Sequence, residues 1–233
     1  MTCNLSDIKK LKSEYKYHEA RKILLGQASD DSECLRNLAE CYYKDLELHQ
    51  DFSYPKALEI LDKIIDVTSP EKTLQLKGAI YKRKWEYQGN LDDLYKSIEN
   101  YEQAYMNYKE KDEGYGAINA AYMYDVLANK ISSFDKEYST QLNQKATNIR
   151  KDIINTFGTK KDNLWIYHTL AQAYFGTGDL NAAKSILEES KNLDCADWEK
   201  FTTYKQLKLL AKLKNIDDLH CLLPLIGEEN RHI

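Results

Sequence analysis

The chain predicts an all-α fold, a solenoid of stacked antiparallel helix pairs, on three observations. Apolar residues recur at three- and four-residue spacing almost from end to end, and alternating strand patterns are absent. Breakers are scarce, with nine Gly and three Pro in 233 residues, while Lys, Glu, Leu, Ala and Gln abound. The stretch LWIYHTLAQAYFGTGDLNAAKSILEESKNL, from Leu164 to Leu193, has echoes upstream. A unit of two short helices cannot bury its apolar face alone; it stacks on neighbours, and the stack offers a long surface to partners.

The breaks fall at Gly26–Asp31, His49–Ser53, Ser69–Pro70, Gln88–Asn90, Lys111–Gly116, Ser132–Phe134, Gly158–Asp162, Gly176–Asp179 and Asp194–Asp197. They divide residues 1–233 into about twelve helices, or about six pairs, in one continuous domain. Residues 1–30 form a weak capping pair that keeps mainly Ala20 and Leu24. Ser32 precedes the apolar run of the second pair. Ser69, Pro70 and Glu71 place a cap, a first-turn Pro and an early acid in order. The fourth pair has a loose helix A around Ala117, Ala120, Ala121 and Tyr124, and a long helix B from about Phe134 to Phe157. Asp179 caps the helix that carries Ala182 and Ala183. Residues 196–227 form a C-terminal capping pair with Leu207, Leu210 and Leu219 to Leu223.

Aligning the pairs gives the fold its family signature. In the tetratricopeptide (TPR) repeat of about 34 residues, helix A carries a large residue, then Leu and a small residue, then Tyr; helix B carries small, bulky, small. The fifth pair reads Tyr167, Leu170, Ala171, Tyr174, then Ala183, Leu187 and Ser190. The second reads Leu35, Leu38, Ala39, Tyr42, then Ala57, Leu61 and Ile64, its A-to-B interval longer by about six residues around LELHQDFSYP. The third reads Leu74, Gly78, Tyr81, then Ser97, Tyr101 and Ala104, longer by about seven. Small residues at Ala39, Gly78, Ala121 and Ala171 let helix A approach helix B, and Tyr42, Tyr81 and Tyr174 fill the angle between them. Residues 71–193 hold the best-defined repeats.

A narrower likeness lies between Leu74 and about Leu210. Gly78-Ala79-Ile80-Tyr81-Lys82, then Tyr101-Glu102-Gln103-Ala104-Tyr105, then Gly116-Ala117-Ile118-Asn119-Ala120-Ala121 occur in an order that resembles the TRAF-binding central region of the apoptosis-signal-regulating kinases and its bacterial relatives. The resemblance implies a TPR-like solenoid that organises signalling complexes by protein contact. No kinase signature (GxGxxG, HRD or DFG) accompanies it, so the chain would be the scaffold alone.

Composition narrows the function further. Hydrophobic residues make up 42% and charged residues 30%, the balance of a soluble folded protein. A net charge of −4 opposes nucleic-acid binding, which needs a basic face. No run of apolar residues is long enough for a membrane span, and MTCNLSDIKK lacks a signal-peptide core, so a cytoplasmic protein is expected. Cys3, Cys34, Cys41, Cys195 and Cys221 form no CxxC pair and fit reduced thiols; Cys34 and Cys41 share a helix face as small core residues.

Catalytic and metal-binding patterns are missing: there is no HExxH, GxSxG, P-loop or Rossmann glycine pattern. Gly176-Thr177-Gly178-Asp179 reads as an A-to-B turn rather than a phosphate cradle. His168 beside Gln172 is the one candidate for acid–base chemistry. The expectation is therefore a non-enzymatic protein with no cofactor or metal.

In a TPR unit the exposed helix A positions line a concave face. Here they are Glu33, Arg36, Glu40 and Tyr43; Lys72, Gln75, Ala79 and Lys82; Tyr115, Ile118, Tyr122 and Asp125; and Trp165, His168, Gln172 and Phe175. This face is charged at one end and aromatic at the other. Arg36, Glu40, Tyr43, Lys72, Gln75, Lys82, Tyr115, Tyr122, Trp165, His168, Gln172 and Phe175 are the candidate partner-binding residues. An extended segment or an apolar-anchored helix from a protein partner is the expected occupant. The alternative is a regulatory sensor that binds a small ligand or nucleotide in the groove, with a base stacked near Trp165.

Overall fold

The computed structural model describes residues 5–27, 30–64, 68–160, 163–191, 193, 197–216, 219, 222 and 225. Among these residues lie eleven α-helices and no strand. They fall into two compact units, Met1–Lys111 and Asp112–Ile233, where the sequence suggested one continuous array.

The first unit holds α1 (Leu5–Ser13), α2 (Tyr17–Gln27), α3 (Ser32–Lys44), α4 (Gln50–Asp62), α5 (Pro70–Gln88) and α6 (Leu91–Asp112). Each of the first four packs on the next, and α3 also touches both α1 and α5. Helix A beside the helix A of the next pair is the neighbour pattern of a helical-repeat solenoid. Ala39, Tyr42, Ala57, Ile60, Leu61 and Ile80 form one core; Ile8, Ala20, Leu24, Cys34 and Cys41 form another. The cap of α3 is Asp31, one residue before the expected Ser32, and its carboxylate accepts from the N–H groups of Glu33 and Cys34. Ser69 stands at the N-cap of α5 but makes no side-chain cap bond.

The long intervals are absorbed mainly as helix. The expected break at His49–Ser53 shifts to residues 45–49: His49 caps α4, and the helix runs on through an exposed Pro55, where the orphaned carbonyl can meet water. The extra seven residues of the third pair appear as long helices, α5 with 19 residues and α6 with 22. Seven residues are about two turns, so the apolar seam stays in phase. Helical geometry in α6 lapses at Tyr108 (φ −138°, ψ 37°). At the seam, a Cβ on Gly78 would lie 2.9 Å from the buried Tyr101 ring, and Ser97 Oγ donates to the Gly78 carbonyl at 2.9 Å. The expected close approach at Gly78 is thus present.

The second unit holds α7 (Tyr115–Ile131), α8 (Lys136–Phe157), α9 (Leu164–Thr177), α10 (Leu180–Ser190) and α11 (Asp197–Lys214). The buried Asp112 carboxylate accepts from the N–H groups of Gly116 and Ala117 and starts α7. Gly114 makes the turn before it at φ +79°, with Thr169 Cγ2 3.0 Å from where a Cβ would stand. Asp179 caps α10 as expected, accepting from Ala182 N–H at 3.0 Å. Only the glycine at 178 makes the A-to-B turn (φ +91°); Gly176 is helical. The second helix of the last expected pair lies outside the described residues, apart from the buried Leu219 and Leu222 and the half-buried Leu225.

α9 packs against α7, α8, α10 and α11, and α7 also touches α11. Three successive A helices therefore enclose one another, and α9 has no open face. Six residues expected at the surface are buried instead: Ile118, Tyr122, Asp125, His168, Gln172 and Phe175, the last completely. The cysteine expectation also changes. Cys34 is disulfide-bonded rather than reduced, while Cys41 is a free buried thiol.

Candidate functional site

Two sets of candidate residues emerge, one in each unit. In the first unit the helix A positions of α3 and α5 stay reachable: Lys72 is exposed, and Arg36, Glu40, Tyr43, Gln75 and Lys82 are half-buried. Part of this face serves the fold. Glu40 is held between Lys12 and Lys44, and Lys44 lies over the rings of Tyr17 and Tyr43. Burial would raise the Glu40 carboxyl, but Lys44 and Lys12 outweigh it and hold it below the usual range. Beside this network, His18, Asp45 and Glu47 bring three metal-type donors within 4.8 Å of one another. Arg21 already grips Asp45 Oδ2 at 2.8 Å while stacking on Tyr42. A guanidinium on a would-be ligand opposes a dication, so this group reads as an ion-pair clasp between α2 and the turn after α3.

In the second unit the enclosed A helices put polar groups where a solenoid's concave face would be. Asn119 and Asp125 from α7, His168 and Gln172 from α9, and Thr203 and Gln206 from α11 are all buried. Arg150 of α8, fully buried, reaches into the same layer; its Nη2 donates to Asp125 Oδ2 at 2.5 Å. Lys214 at the end of α11 sets its Nζ 3.0 Å from Asp125 Oδ1. Room for the guanidinium comes from Gly176, where a Cβ would stand 2.2 Å from Arg150 Nε. That is the reason for a glycine inside α9. At the other end of the seam, Trp165 meets Tyr115 edge-on, with ring centroids 6.0 Å apart, and both rings are half-buried. Burial, with Lys200 adding its charge, lowers the His168 pKa to about 4. The ring is therefore neutral near pH 7 and poorly matched to proton transfer there.

The sequence reading placed Asp125, His168 and Gln172 on helix A positions but missed Arg150. A signal was present. Leu142, Ala146, Ile149, Ile153 and Phe157 mark the apolar stripe of α8, and Arg150 falls inside it. Asp125 likewise follows Ala121 on the packed side of α7. Opposite charges on the apolar faces of consecutive helices are a pairing signature.

Fold and sites together define a TPR-like helical-repeat protein, a class built for binding. Residues 16–124 match the family model described as Tetratricopeptide Repeats-Sensor. All three segments that resemble the kinase region up to Ala121 lie inside that match. The match supports TPR-like kinship, not the narrower TRAF-binding attribution. No curated protein and no solved structure matches the chain. Among the described residues, no helix is long and apolar enough to cross a membrane.

Proposed function

We propose that the protein is a non-catalytic interaction scaffold in a cytoplasmic signalling or defence assembly, and that it binds a protein or peptide partner through the helix A face of its first unit. The observation that carries this is the contrast between the units. Lys72, Gln75, Lys82 and Arg36 remain reachable on α3 and α5, whereas the corresponding face of α9 is enclosed. The order of segments resembling the kinase scaffold region supports a signalling setting. A photo-crosslinking residue placed at Lys72 or Gln75 tests the reading in the native host, with Tyr95, an exposed residue on helix B, as the reference position. Adducts at Lys72 and Gln75 but not at Tyr95 support it. Equal adducts at all three, or none, overturn it.

One observation favours a second reading. The enclosed polar seam of the second unit leaves buried polar atoms without partners, which suits a ligand-regulated sensor more than a passive scaffold. The description of the matching family model as a sensor points the same way.

A further inference from the structure

Two neighbouring pairs of the first unit are longer than a TPR unit needs, and insertions in a repeat array gather on one face, often the binding face. Here the two additions meet. The stretch LELHQDFSYP, which leads into α4, reaches the last turn of the lengthened α5, where Gln88 Nε2 donates to Asp51 Oδ1 at 3.1 Å. The Tyr87 ring stands edge-on to His49 and to Tyr54, with centroids 6.3 and 6.5 Å apart. Phe52 meets Tyr42 edge-on and is still 54% exposed; Tyr87 is 46% exposed, and Leu46, in the turn before α4, 85%. Open apolar side chains gathered in one place mark an interaction surface. The surface is also acidic. No Lys or Arg occurs within residues 45–55 or 85–90. The flanking cations are engaged: Lys44 with Glu40, Lys56 with Glu59, Arg83 with Glu86 and Lys84 with Asp93. The carboxylates of Glu47 and Asp51, on side chains 69% and 60% exposed, meet His18, His49 and Gln88 but no Lys or Arg among the described residues.

We propose that this surface docks a basic segment of a partner protein, in which Arg or Lys alternates with apolar residues. A cation lying over the exposed Tyr87 or His49 ring gains a cation–π contact, and Glu47 and Asp51 supply the opposite charge. Apolar residues of the same segment cover Phe52 and Leu46. A neutral or acidic segment would leave both carboxylates uncompensated, so charge complementarity selects the basic one. Lys72 and Tyr87 stand at opposite ends of α5, roughly 22 Å apart at helical rise, so this surface lies beyond the helix A positions proposed above. The chain thereby offers two contact surfaces rather than one.

The test selects a random peptide library displayed on phage against the full-length protein. Enriched peptides are expected to carry Arg or Lys next to apolar residues. One such peptide, labelled with fluorescein, is then titrated by anisotropy. Its binding is expected to weaken as sodium chloride is raised, and to weaken about fivefold in Tyr87→Ser. Glu47→Gln combined with Asp51→Asn leaves every ring in place and is expected to weaken binding about tenfold. Tyr138→Ser, which replaces an exposed tyrosine of the second unit, is the reference and should leave binding unchanged. No enrichment, enriched peptides that are neutral or acidic, or an affinity unchanged in Tyr87→Ser or in the carboxylate variant overturns the proposal. So does a concentration-dependent dimer in sedimentation that Tyr87→Ser abolishes, because the surface then belongs to a second copy of this chain. Crosslinking at Lys72 is a separate readout, so this surface and the helix A face fail independently.

Discussion

Gly176→Ala puts the arrangement around Arg150 to a direct test. At an exposed helical position the change stabilises, because alanine favours helix by about 1 kcal/mol. Here the new Cβ would stand 2.2 Å from Arg150 Nε, 2.6 Å from its Cδ and 2.7 Å from its Cζ. Unstrained contact needs roughly 3.5 Å, so the guanidinium has to retreat by about an ångström. Retreat breaks the 2.5 Å bond to Asp125 inside a closed interior. Separating a buried pair costs roughly 3–5 kcal/mol; offset by the helix preference of alanine, the net loss is about 2–4 kcal/mol. Thermal unfolding followed by circular dichroism should show Tm lowered by roughly 5–15 °C. Gly26→Ala is the reference, because nothing lies within 4 Å of its added Cβ; it should be neutral or stabilising by about 0.5 kcal/mol. In an Arg150→Met background the penalty of Gly176→Ala should shrink to under about 1 kcal/mol. A Gly176→Ala protein as stable as its parent, or an equal penalty in both backgrounds, refutes the reasoning.

Four other outcomes are expected. Gly78→Ala drives a Cβ to 2.9 Å from the Tyr101 ring and should destabilise by about 1–3 kcal/mol in urea titrations, with Tyr101→Leu relieving part of the loss. The pKa of His168 in the folded state, about 4, lies below the ordinary 6.5, so the unfolded chain binds the proton first. Its contribution is complete above pH 6.5 and is lost as pH falls towards 4; His168→Gln should flatten the stability–pH curve in that window by up to about 3 kcal/mol. Burial pushes the Cys41 thiol up to about 12, so a thiol reagent should label it in urea but only slowly in the native protein at pH 8. Trp165→Ala removes a half-buried ring and its edge contact with Tyr115, and should cost about 1–3 kcal/mol while leaving crosslinking at Lys72 unchanged.

The pairing of helices was legible because it depends on local periodicity. Gly78 facing Tyr101 and Asp179 capping α10 each follow from residues close in sequence. Helix α4 starts inside the expected break at His49–Ser53 and runs through Pro55, which on an exposed turn costs one backbone bond without ending the helix. The fate of the helix A face was less legible. Whether a stack of A helices stays open or closes depends on the small rotation between pairs, and no single pair encodes that angle. In the second unit α7 and α11 meet across α9, so His168, Gln172 and Phe175 became interior. Trp165, at the start of α9, escaped full enclosure.

The two glycines of Gly176-Thr177-Gly178 show how one motif hides two causes. Both read as turn glycines, yet only Gly178, at φ +91°, needs the left-handed backbone. Gly176 is helical and is small because a charged side chain from another helix occupies the space. That cause is invisible within α9. It becomes visible when α8 is read with α7: Arg150 and Asp125 sit on stripes that are otherwise apolar. A lone charge on such a stripe is costly, and a second of opposite sign on the adjacent helix is its natural partner. A small residue on the third helix then marks where the pair must fit. Here the pair is incomplete, since Arg150 keeps two donors unused and Lys214 adds a further cation. The pair is held by a single bond, Arg150 Nη2 to Asp125 Oδ2, unlike the clasp at Arg21–Asp45, where one guanidinium donates both Nε and Nη2 to the same carboxylate.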